Sequence, residues 1–203
     1  VQLKTIPLAL PGESDGQSAA KYIDLMVSSQ TGSGKTAAFL LPVLHTLLKQ
    51  QAQSEADERA AFEREVAEAI ARGEAPPKRS KRKDPTNPRN FKPAEPGALV
   101  VCPTRELAQQ VANDGIDLVR HCRGLRIANV VGGMPYQLQI AKLQNADLVV
   151  ATPGRLLDLQ RSQQLKLDQV QFLVLDEADR MLDLGFSDDL ADINELTSQR
   201  GQT

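Results

Sequence analysis

Short, nearly continuous runs of aliphatic and β-branched residues recur along the chain, separated by stretches in which apolar positions repeat every three or four residues. The runs are Asp24 to Ser29 (DLMVSS), Ala98 to Cys102 (ALVVC), Leu125 to Val131 (LRIANVV), Asp147 to Thr152 (DLVVAT) and Val170 to Glu177 (VQFLVLDE). A strand covered on both faces needs continuous apolar character rather than strict alternation, so each run predicts a buried parallel strand. Helical periodicity fills Thr36 to Gln50, Arg105 to Cys122, Pro135 to Gln144 and Arg155 to Gln160. Strand and helix in alternation predict an α/β, doubly wound parallel sheet, which binds ligands outside the carboxyl ends of its strands.

Two regions break the rhythm. Pro11 to Tyr22 (PGESDGQSAAKY) is rich in Gly, Ser and Asp and reads as a solvated loop before the first strand. Residues 50–97 form an unusually long crossover between the first two strands. Its first half predicts a surface helix over about residues 54–72, with Ser54 as cap, Phe62, Val66 and Ile70 as an apolar stripe and Gly73 as the stop. Its second half, over about residues 76–96, holds seven Lys or Arg between Lys78 and Lys92 against one acid, Asp84, and its prolines forbid regular structure. Two readings stand: a disordered, solvated loop or an auxiliary RNA-contacting arm.

Composition narrows the classes. At 203 residues, 41% of them hydrophobic and 25% charged, the chain suffices for one domain with a proper core. A net charge of −2 gives no bulk argument for a nucleic-acid partner, which would need locally placed Lys and Arg. Cys102 and Cys122 lie far apart without metal-ligand spacing, so a reduced, cytoplasmic setting is expected. The apolar stretch Phe39 to Leu48 is too short for a bilayer, and no membrane partner is expected. The chain starts at Val1 rather than Met, which points to a piece of a longer protein, truncated at both ends.

The chemistry lies in two segments. Gln30, Thr31, Gly32, Ser33, Gly34, Lys35 and Thr36 (QTGSGKT) follow the first predicted strand and open a helix. Gly32 and Gly34 let backbone amides turn inward at a helix N-terminus, whose dipole favours phosphate; Lys35 would reach the β and γ phosphates and Thr36 would hold Mg²⁺. The plainer alternative is a Gly-rich turn. In Phe172 to Asp179 (FLVLDEAD), an apolar strand delivers Asp176 to support Mg²⁺ and Glu177 to polarise an attacking water. A base for water favours hydrolysis over phosphate transfer to a small acceptor.

SQTGSGKT, PTRELAQQ (Pro103 to Gln110), the Gly132 and Gly133 pair, TPGR (Thr152 to Arg155) and DEAD (Asp176 to Asp179) occur in the order and rough spacing of the DEAD-box ATP-dependent RNA helicases. Over nearly its whole length the chain resembles that family's first RecA-like domain, a P-loop NTPase fold spanning 1–203 here, with the flavour of bacterial members such as the RhlE group. The resemblance implies ATP and Mg²⁺ as cofactors, with Lys35, Asp176 and Glu177 catalytic and Thr36, Asp176 and Glu177 around the metal, partly through water. It implies that Gln2, in VQLKTIP, reads adenine, and that Asp179 couples the ATP site to the rest of the machine. It assigns RNA contacts to Pro103, Thr104, Arg105, Glu106, Gly132, Gly133, Thr152, Pro153, Gly154 and Arg155, gripping the backbone without reading sequence. Without it, Thr104 would equally be a helix cap, and Gly132 with Gly133 a turn after a strand.

Ser29 stands where the family has alanine, a small-for-small exchange. The first part of the family's adenine-reading motif, its Ser-Ala-Thr motif and its second RecA-like domain are absent from these residues. The expectation is therefore a monomeric helicase core fragment, weakly active or inactive alone, whose partners are RNA and the second domain of the same protein. Rival readings are a nucleotide-gated RNA-binding scaffold without unwinding and a P-loop NTPase acting on DNA. His45 and His121 lack partner spacing and read as surface residues, and Cys102 reads as packing.

Overall fold

The computed structural model describes residues 1–10, 22–30, 32–78, 92–122 and 124–203. The apolar runs beyond residue 97 become the sheet: β1 (Ala98–Val101), β2 (Ile127–Val130), β3 (Leu148–Ala151) and β4 (Phe172–Leu175), all parallel, in the order β2-β3-β1-β4. Successive residues point to opposite faces, which splits the core in two. Leu99, Val101, Val149, Ala151 and Leu173 face α5 (Pro153–Arg161), α6 (Ala178–Asp183) and α7 (Ser187–Leu196), through residues such as Leu156, Met181 and Ile193. Ala98, Val100, Leu148 and Val150 face α2 (Lys35–Ala71) and α3 (Arg105–Leu118), through residues such as Leu40, Leu44, Val111 and Ala112. The expected doubly wound α/β fold is present. α4 (Tyr136–Leu143) connects β2 to β3.

The run Asp24 to Ser29 is not a strand of this sheet. Ile23, Met26 and Val27 are exposed, Met26 completely at 101%. The segment is separated from β4 by Gln202 and Thr203: Gln202 bridges Phe172 in parallel, while the Leu25 N–H donates to the Thr203 carbonyl at 3.0 Å. A partner two residues long offers no ladder beyond Leu25, so a run with strand composition stays extended and unpaired.

The two helices expected around residue 50 are one. α2 runs unbroken from Lys35 to Ala71, and Ser54 lies inside it rather than capping a second helix. After Pro42 no residue before Gly73 breaks a helix, and Gln, Ala, Glu and Arg are all good helix formers. Side-chain bonds one turn apart span the expected break, Gln51 to Glu55 at 3.3 Å and Gln53 to Asp57 at 2.9 Å. The expected stop is correct: Gly73, at φ +72°, donates to the Ile70 carbonyl and Glu74 donates to that of Ala69, which closes the helix in a Schellman motif. Lys78 and Lys92 are exposed; Arg79, Lys81, Arg82, Lys83 and Arg89, like Pro11 to Lys21, lie outside the described residues.

The periodicity reading names no helix at α1 (Gln2–Ala9), α6 or α7. Each is ten residues or shorter, too brief for a period to declare itself. Among the described residues no helix is long and apolar enough to cross a membrane.

Candidate nucleotide and RNA site

The phosphate loop sits where the sequence places it, immediately before α2. Gly34 is the residue preceding the helix, at φ +83°, and Gly32 is at φ +77°, both in the left-handed region that a side chain resists. Lys35 is the first helical residue, and its Nζ donates to the Ser29 carbonyl at 2.7 Å. Ser29 Oγ donates to Ser33 Oγ at 2.5 Å, and Gln2 Nε2 reaches the Gly34 carbonyl at 3.4 Å. α1 thus brings Gln2 to the loop. Gln30, Ser33 and Thr36 lie in the described part of the loop; Thr31 lies outside the described residues.

β4 ends at Leu175 and hands the chain to Asp176, whose backbone N–H donates to the Val101 carbonyl at 3.0 Å. Burial first, and the Glu177 charge next, push the Asp176 carboxyl above its ordinary value, while Lys35 and the Glu177 N–H pull the other way. The positive charge of Lys35 acts on the Asp176 carboxyl, so the phosphate loop and the acidic pair share one electrostatic neighbourhood. Glu177 is left-handed at φ +53°, a conformation that costs a non-glycine residue on the order of 1–3 kcal/mol and aims its carboxylate at Arg180, whose Nη1 lies 3.3 Å away. Cys102, at the end of β1, has its thiol pushed upward by burial and by Asp176 and Glu177, so it packs as a neutral side chain.

The donor chemistry fits Mg²⁺. Two adjacent carboxylates, one partly buried and destabilised as an anion by the other, are the environment that a hard cation offsets, and Thr36 adds a hydroxyl. Among the described residues no group of three His, Cys, Asp or Glu could hold a metal unaided. Mg²⁺ characteristically takes few protein ligands and completes its shell with phosphate oxygens and water.

The segments assigned to RNA meet at the same carboxyl edge. Thr104 caps α3, its Oγ1 accepting from the Leu107 N–H at 3.3 Å, so its capping role is real. Arg105 Nη1 donates to the Gly132 carbonyl at 3.2 Å, and a Cβ on Gly133 would collide with the same guanidinium. Pro103 is buried and Glu106 exposed. Thr152 precedes α5, Pro153 is its first residue, and open space surrounds both Gly154 and Gly132 where a Cβ would stand. Arg155 Nη1 is buried with no hydrogen-bond partner, and its guanidinium carbon lies 5.8 Å from the centre of the Tyr136 ring. Asp179 is exposed in the first turn of α6.

Sequence reasoning missed the internal partners: Arg180 on Glu177, and Gln139, fully buried on α4, which donates to the Val131 carbonyl at 2.6 Å and the Met134 carbonyl at 3.3 Å. The one available signal for Gln139 was a polar residue on the inward face of a short helix.

A parallel α/β sheet with a lysine-bearing glycine loop before one helix and an Asp-Glu pair at the end of a strand defines a RecA-like NTPase domain. The chain belongs to the DEAD/DEAH box helicase family, whose model matches residues 1–203. It is 37% identical over 197 residues to DEAD-box ATP-dependent RNA helicase 52A of Oryza sativa subsp. japonica, covering 96% of this chain and 26% of that protein. It is 36% identical over 181 residues to ATP-dependent RNA helicase RhlB of Pseudomonas aeruginosa, covering 88% and 36% respectively. Among solved structures it resembles a hypothetical ATP-dependent RNA helicase from Sulfolobus tokodaii, with TM-score 0.68 and 35% identity, over 100% of this chain and 43% of that one. The yeast DEAD-box splicing factor Prp28 matches with TM-score 0.63 and 30% identity, over 90% of this chain and 34% of that one. The chain thus spans less than half the length of each.

Proposed function

We propose that this chain is the ATP-binding half of an ATP-dependent RNA helicase, which in the whole protein couples ATP hydrolysis to local unwinding of RNA duplexes. The observation that carries the proposal is the left-handed Gly32 and Gly34 loop that opens α2 at Lys35, with Asp176 following β4 and the Arg105–Gly132 contact at the sheet's carboxyl edge. Lys35 and the N-terminal amides of α2 would hold the phosphates, Gln2 the adenine, and Thr36, Asp176 and Glu177 the Mg²⁺, which when bound supplies positive charge to the phosphate oxygens. Glu177 would orient the attacking water once freed from Arg180. Arg105, Arg155 and the open glycine backbones would take RNA phosphate and sugar, which positions a strand without reading its sequence. The second RecA-like domain would complete the cleft, and the protein would work in the cytoplasm.

The test is strand displacement by the intact protein on matched RNA and DNA duplexes, with and without ATP, beside Lys35→Ala. ATP-dependent displacement of RNA, lost in Lys35→Ala, is expected. Equal displacement of DNA refutes the RNA assignment, and RNA binding without any displacement refutes the helicase reading in favour of a scaffold.

A further inference from the structure

The outer edge of β2 carries a groove that none of these roles uses. About 470 Å³ in volume, it lies between α3 and α4, with Ile127 and Met134 among its apolar walls and Gln109, Arg126, Asn129 and Lys142 as polar positions. That volume falls within the range of about 300–1,000 Å³ typical of ligand pockets. Asn129 Nδ2 donates to Gln109 Oε1 at 2.8 Å, but Asn129 Oδ1 is buried with no partner. A buried acceptor left unmade costs stability, and a ligand donor would relieve that cost. Lys142 is exposed and enters none of the ion pairs among the described residues, so its ammonium is free to meet an anion, whereas Arg126 lies beside Asp147, whose Oδ2 accepts its backbone N–H at 2.7 Å.

The groove adjoins the glycine turn. Gln109 stands one helical turn beyond Arg105, whose guanidinium bonds Gly132, and Met134 directly follows Gly133. We propose that this groove receives one nucleotide of the RNA strand where it passes the Gly132–Gly133 turn. The base lies against Met134 and Ile127, an amino or imino N–H of the base donates to Asn129 Oδ1, and Lys142 takes the phosphate. This rests on the RNA reading above and extends the contact surface past the helicase motifs by one subsite. β2 is also an edge strand and could pair with an extended peptide. The unpaired Lys142, the unpartnered Asn129 Oδ1 and the continuity with the glycine turn favour the nucleotide.

Labelled single-stranded RNAs of increasing length, titrated against the intact protein with a non-hydrolysable ATP analogue, test the subsite. Asn129→Leu combined with Lys142→Ala is expected to weaken the longer strands roughly fivefold and leave the shortest unaffected, the scale of losing a hydrogen bond to the base and one phosphate contact. Lys142→Ala alone, at an exposed position that should fold normally, is expected to lower the slope of log affinity against log salt by about 0.7, the share of one phosphate on a single strand, and Lys142→Arg to restore it. Arg105→Ala separates the two layers of inference. If it weakens RNA while the groove variants keep the parental length profile and salt slope, as occupation by a peptide or a second copy would also give, the subsite is refuted and the RNA reading survives. If Arg105→Ala changes nothing either, both are refuted.

Discussion

The two ends of the carboxyl edge are prepared in opposite ways. At the nucleotide end, several polar groups around the phosphate loop and the acidic pair are engaged within the chain: Lys35 on the Ser29 carbonyl, Ser29 on Ser33, Gln2 on Gly34, and Glu177 on Arg180. At the RNA end, Gly132 and Gly154 look into open space and Arg155 keeps a buried Nη1 without a partner. On the proposed function, a nucleotide would have to break these internal bonds, whereas at the RNA end only Arg105, held on the Gly132 carbonyl, would have to let go. The larger rearrangement cost would then lie at the nucleotide end.

The largest break in the comparison comes from Lys35→Ala, which removes the cation that the nucleotide end holds in reserve. Loss of one preorganised charge partner for the phosphates predicts a fall of about a hundredfold or more in steady-state ATP turnover by the intact protein. Retention of more than a tenth of that turnover would show that Lys35 serves the fold rather than the phosphates. At the RNA end, Gly133→Ala forces a side chain into φ +80° and against Arg105 Nη1. That predicts a loss of roughly 1–2 kcal/mol, read from the denaturant midpoint. Gly132→Ala, with open space around it, is expected to leave the midpoint unmoved while weakening RNA.

A smaller effect separates charge from packing at the nucleotide end. The carboxyl of Asp176 is raised in the fold above its ordinary 3.8, so the folded chain holds that proton more tightly than the unfolded one. Its contribution therefore opposes folding increasingly as pH rises from 3.8 through the raised value, and the penalty persists in full above it. Asp176→Asn should melt a few degrees higher than the parent at pH 7 without Mg²⁺, and the difference should vanish as pH falls below that window. A lower melting temperature for the Asn variant at pH 7 would show that hydrogen bonding, not burial of charge, dominates the site.

Much of this was legible before any coordinates. The four runs of the sheet and the acids after β4 announce themselves because a strand covered on both faces leaves an unbroken apolar signature, and the Lys35 loop because its glycines open a helix. The run at residues 24–29 carries the same signature and failed, since pairing depends on a neighbour that its own residues do not encode. Ser54 failed for the opposite reason: a good cap residue was outvoted by helix formers on both sides. Contacts such as Arg105 on Gly132, 27 positions apart, leave no local trace at all.

Ser29 gives the finest test of how the nucleotide end is held. Its carbonyl holds Lys35 and its hydroxyl holds Ser33, so Ser29→Ala deletes the second bond and keeps the first. A part-buried hydrogen bond contributes about 0.5–1.5 kcal/mol, and if that bond stabilises the closed loop, its loss lowers the cost of opening by the same amount. Titration with a fluorescent ATP analogue should then show Ser29→Ala binding about two- to tenfold more tightly than the parent, a gain from removing a polar group. Ser33→Ala should give a similar gain, and the double variant no more than either alone, because all three delete one and the same bond. Weaker binding in Ser29→Ala would mean that the hydroxyl faces the phosphates rather than restraining the loop, and the contrast between the two ends would then fail at this residue.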